Sequence, residues 1–124
     1  MAPSSSQAFS ATFTRLRRIL ADYAARLTVV SDTAEGFHLD TRHIMPNKGP
    51  LFFGAVHVKK SFVSFHLMPV YVFPELLEGA SSELRDRMHG KSCFNFKKLD
   101  EPLAEELSEL TAKAFKRYEQ AGYV

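Results

Sequence analysis

Three groups of residues carry side chains able to do chemistry. The first is His57, Phe62, Ser64 and His66, split between the segments "LFFGAVHV" and "FVSFHL". The second is His38, Asp40 and His43 in "FHLDTRHIM". The third is Cys93 in "GKSCFNF", with His89 and Lys91 nearby in sequence. Imidazole, carboxylate and thiolate are metal ligands, proton carriers and, for the thiolate, a nucleophile.

Each group has a demanding and a plain interpretation. Two histidines and a carboxylate suit iron or zinc, but a polar strand face running into a loop has the same composition. Cys93 as a nucleophile needs accessibility and a base, which His89 or His66 would supply. A cysteine in an aromatic strand also serves as a small packing residue. His66 is either a polar contact to a ligand or a hydrogen-bonded structural residue. Phosphate-loop, dinucleotide and zinc-finger patterns do not occur in the chain.

The elements that must position these residues follow from periodicity. Phe13, Leu16, Ile19, Leu20, Tyr23, Ala24 and Leu27 recur at helical spacing and predict a helix over 10–27, with Ser10 at its start. The run 31–36 is polar and predicts a turn. Alternation in 37–41 predicts a strand, and Pro46, Asn47, Gly49 and Pro50 predict a loop.

Residues 51–58 and 62–67 predict a hairpin about Lys59, Lys60 and Ser61. Setting His57 opposite Phe62 puts Phe52, Gly54, Val56, Val63, Phe65 and Leu67 on an apolar face. Phe53, Ala55, His57, Phe62, Ser64 and His66 then share a mixed face, a candidate ligand-binding surface. In that register His57 and His66 stand roughly 13 Å apart, too far to share a metal.

Two short helical pieces are expected within 72–91, and a strand over 92–96. A final helix over 101–119 is capped by Asp100 and striped by Leu103, Leu107, Leu110, Ala114 and Tyr118. The sum is an α+β fold: a mostly antiparallel sheet with two long helices on one face and short helical connections.

The chain of 124 residues has the length of one domain, read as 9–124 after a loose polar tail over 1–8. Its 45% apolar residues can fill a core without disulfide or metal. The single cysteine fits a reducing, cytoplasmic setting. The sequence shows no apolar run long enough for a membrane span. A formal charge of +2 permits nucleic-acid contact without arguing for it, so no specific nucleic acid is expected. Lys59 with Lys60, Lys97 with Lys98, and Arg17 with Arg18 would form an anion patch only if the fold brought them together.

The phrases "KKSFVSFHLMPVYVFPELLEG" and "MHGKSCFNFKKLDEPLAEEL", with Met45 and Pro46 upstream, resemble the YdhG-like, DUF1801-type family over roughly residues 42–119. The resemblance implies a compact α+β domain in which "GKSCFNF" is a regular strand. One branch of that family is proposed as frataxin-like cytosolic iron chaperones. It implies iron held by an acidic surface, for which Glu101, Glu105, Glu106 and Glu109 are the candidates here. No catalytic residue carries over. The expectation is therefore a binding domain for a small molecule or protein, without a cofactor of its own. Iron handling or a Cys93 thiol enzyme stand as alternatives, and exposed aromatics on the mixed face would point to a homodimer.

Overall fold

The computed structural model describes residues 9–124. The tail expected over 1–8 lies outside the described residues. The elements are α1 (Ser10–Ala21), β1 (Thr28–Asp32), β2 (Gly36–Ile44), β3 (Pro50–Val58), β4 (Val63–Leu67), α2 (Met68–Val72), α3 (Ser82–Arg85), β5 (Cys93–Phe96) and α4 (Glu101–Ala121). Single 3₁₀ turns cover Ala24–Arg26 and Pro74–Leu77. The five strands form one antiparallel sheet in the order β1-β2-β3-β4-β5. The expected α+β architecture is what the chain adopts.

Apolar stripes decide where the helices sit. Phe13, Leu16, Ile19 and Leu20 of α1 are buried, as are Leu103, Leu107, Leu110, Ala114, Phe115 and Tyr118 of α4. They close over Phe37, Leu39, Val56, Phe65, Leu67, Phe94 and Phe96 of the sheet in one apolar cluster. Arg15 pairs with Glu101 at 2.7 Å and Arg26 with Glu119 at 2.8 Å. α4 thus begins beside the middle of α1 and ends beside the 3₁₀ turn that follows it.

The predicted first helix is too long. α1 stops at Ala21, and Thr28–Asp32 forms an edge strand paired with β2. Leu27 is still buried, so the apolar spacing continues past the end of the helix. The short α2 was also not expected. Its Pro69 sits in the first turn, where a missing N–H costs nothing.

The central hairpin keeps its predicted faces in part, but its register is shifted by two residues. His57 pairs with Ser64, Val58 with Val63, and Gly54 with Leu67. Lys59 N–H then donates to Phe62 O at 2.8 Å, leaving Lys60 and Ser61 to make the turn. A shift of two preserves which side chains share a face while moving every partner.

Phe52 and Phe53 exchange places for a different reason. Leu39 pairs with Gly54, and the next residue, Asp40, pairs with Phe52. Phe53 is therefore the extra residue of a β-bulge. It points into the core, fully buried, with its ring 5.7 Å from that of Phe115 and 5.9 Å from those of Tyr23 and Tyr118. Gly54 lets the bulge pack: a Cβ there would lie 3.0 Å from His66 O and 3.1 Å from Leu20 Cδ2.

The start of α3 depends on a small polar clamp. Leu84 N–H donates to Ser81 Oγ at 3.1 Å. Ser81 N–H and Oγ–H both donate to the Glu106 carboxylate of α4, at 2.7 and 2.6 Å. Ser81→Ala is expected to lower stability by about 1 kcal/mol, the usual loss of an N-cap. Urea unfolding of the variant measures it; an unchanged midpoint would mean the clamp contributes nothing.

Candidate functional site

Alternation along the strands brings one set of polar side chains to the sheet face turned away from the long helices. Register orders them in rungs. Ser31, His38, Ala55, His66 and Cys93 lie side by side across all five strands. Gly36, His57, Ser64 and Asn95 form the neighbouring rung. Asp40 and Phe52 pair on the far side of the first rung.

Ala55 is the floor of this arrangement. His38 and His66 flank it from adjacent strands, His57 follows it two residues along β3, and the bulge sets Phe52 at its other end. The Phe52 ring lies 4.8 Å from His38 and 6.0 Å from His66. His57 leans over Gly36, where a Cβ would meet its Nδ1 at 3.0 Å. Ala55 is only 2% exposed because these larger neighbours close around it.

Hydrogen bonding fixes part of the chemistry. His38 Nε2–H donates to Asp40 Oδ1 at 2.8 Å, because a carboxylate oxygen only accepts. Burial holds the His57 and His66 pKa values below the usual imidazole range, with Lys59 and the neighbouring histidines adding to the effect. Both rings are therefore neutral at pH 7, each offering one donor and one acceptor. Ser64 is buried, with Oγ 2.9 Å from Cys93 Sγ. The Cys93 thiol donates to Asn95 Oδ1 at 3.5 Å.

His57, Ser64 and His66 thus stand together as the sequence suggests, with His57 directly opposite Ser64 and diagonal to His66. Phe62 lies beside them at the turn, half-buried. Phe53 is not on this face: the bulge puts it in the core, and Phe52 takes its place. No repeat or motif marks a bulge in the sequence. The only signal is a glycine directly after two aromatic residues.

The proposed metal ligands divide between two places. His38 and Asp40 join the open face, whereas the His43 ring packs 4.8 Å from Tyr123 near the end of the chain. Among the described residues, no three His, Cys, Asp or Glu side chains are grouped closely enough to hold a metal ion. Of the acidic run, Glu101 is engaged by Arg15 and Glu106 by Ser81, while Glu105 and Glu109 are exposed. The Arg15 guanidinium holds the Glu101 carboxyl below its ordinary pKa. Cys93 lies directly opposite His66 on one side, and on the other His89 N–H donates to Cys93 O at 2.9 Å, next to the bridge between Met88 and Phe94.

Among the described residues, no helix is long and apolar enough to cross a membrane. No family model, curated protein or solved structure matches the chain.

Proposed function

We propose that the protein is a binding domain and that the open sheet face is the surface that takes its ligand. One observation carries this reading. Three imidazoles and the Phe52 ring gather around Ala55 on a face the hydrophobic core does not use. A sheet face that only met water would not need four aromatic rings around a small floor. The neutral rings of His57 and His66 and the Asn95 amide supply paired donors and acceptors, and Phe52 supplies an apolar wall. This is the mixture that orients a small ligand.

Amide spectra of the isotope-labelled chain, recorded against a library of small polar aromatic compounds, test the proposal. Binders are expected to shift His38, Ala55, His57 and His66 together, and Phe52→Ala is expected to abolish those shifts. Two results would end it. One is a library without a single compound that moves these amides. The other is a stable dimer in sedimentation, with the same amides protected by the second copy.

A further inference from the structure

We infer that the ligand of the open face is a phosphate-bearing heteroaromatic compound, the chemistry shared by free nucleotides and single nucleic-acid strands. The inference rests on reading the open face as a binding surface and names what that surface selects. It is carried by a convergence of cations at one corner of the sheet. Val58 pairs with Val63, and Val63 with Phe96. The next rung outward therefore holds Lys59, Phe62 and Lys97, on the same face as His57, Ser64 and Asn95. Lys60 follows in the turn, and Lys98 lies two residues past the end of β5. All four lysines are exposed.

This corner is built from segments 38 residues apart, which the register alone brings together. Among the described residues, no ion pair joins Lys59, Lys97 or Lys98 to a carboxylate. Arg17 and Arg18 do not contribute: Arg17 is held by Asp32 at 2.7 Å and lies over the Phe37 ring, and Arg18 belongs to α1 on the other side of the sheet. A hollow of about 250 Å³ opens at the corner, lined by Phe62, Arg87, His89, Asn95 and Lys97, with Asp86 as its one carboxylate.

The hollow and the imidazole rungs share Asn95, so they form one continuous surface. A phosphate placed among Lys97, Arg87 and Lys59 meets point charges rather than a backbone cradle. Its attached ring then reaches the His57–Ser64–Asn95 rung. Neutral imidazoles and an amide there can read donor and acceptor edges, and Phe52 and Phe62 offer ring faces for stacking. Binding through exposed lysines is salt-sensitive.

The test uses the full labelled chain with adenosine monophosphate, adenosine, inorganic tripolyphosphate, thymidine monophosphate and decathymidylate. Adenosine monophosphate is expected to shift Asn95, Ser64 and His66 together with Lys97. Lys97→Glu is expected to weaken it by about tenfold or more, with Lys97→Arg restoring binding. Lys97 is exposed, so the thermal unfolding of both variants should match the parent and report that the fold is intact. Adenosine binding as tightly as its monophosphate would overturn the inference. So would tripolyphosphate binding as tightly as the nucleotide without moving His57 or His66. If no phosphate probe binds while other aromatic compounds still occupy the face, the ligand class fails and the binding surface stands. Decathymidylate binding much tighter than thymidine monophosphate, with a steep salt slope, supports the inference and names a strand as the source. Equal affinities for the two support it with a free nucleotide as the source.

Discussion

Replacing Phe53 by alanine is expected to cost about 3–5 kcal/mol, the range for emptying a buried aromatic site. Phe53 is fully buried and touches the rings of Tyr23, just after α1, and of Phe115 and Tyr118 of α4. Their positions are fixed by other contacts, so the cavity can collapse only partly. Replacing the adjacent Phe52 is expected to cost about 1 kcal/mol, the scale of an aromatic pair contact. Its ring is only partly buried and meets only histidines among its ring neighbours. Urea denaturation of the two variants gives the comparison. A Phe52→Ala chain less stable than Phe53→Ala would mean that the bulge lies elsewhere and that Phe53 belongs to the open face.

That pair of residues shows what the sequence could and could not disclose. Alternation in residues 54–58 and 63–67 was sufficient to assign faces, because pleating puts every second side chain on one side. It could not assign partners, since a shift of two residues leaves the pattern untouched. The bulge comes from tertiary contacts. Leu20 of α1 presses against Gly54, and the Tyr118 hydroxyl donates to Phe52 O at 3.0 Å. Neither partner lies near the hairpin in sequence. β1 was hidden for a related reason. Its two apolar residues, Val29 and Val30, are 46% and 54% exposed, so they give no buried stripe or alternation. A register change between Val29 and Ser31 interrupts the strand as well. The candidate site was legible as far as His57, Ser64 and His66. His38, Asp40 and the lysine corner join them only through pairing across β2 and β5, which local pattern does not reveal.

Stability is expected to fall on acidification through the window where His57 and His66 resist protonation. Burial lowers both folded-state pKa values from the ordinary 6.5, and the Lys59 charge lowers them further. The unfolded chain then binds more protons than the folded one as pH drops. A base with a depressed folded pKa leaves stability intact above its unfolded value and lost as pH falls from there through the folded value. The curve should be flat near pH 7.5 and decline from about pH 6.5. Two protons limit its slope to at most about 2.7 kcal/mol per pH unit. The carboxylates act in a different window: Arg17 holds Asp32 and Arg15 holds Glu101 below their ordinary pKa values of 3.8 and 4.5, so their contribution disappears only at lower pH. Denaturant midpoints from pH 8 to pH 5 measure the effect, and His57→Asn with His66→Asn should flatten the curve over that range. A parent chain equally stable at pH 7.5 and pH 5.5 would show that the imidazoles are solvated and free to charge.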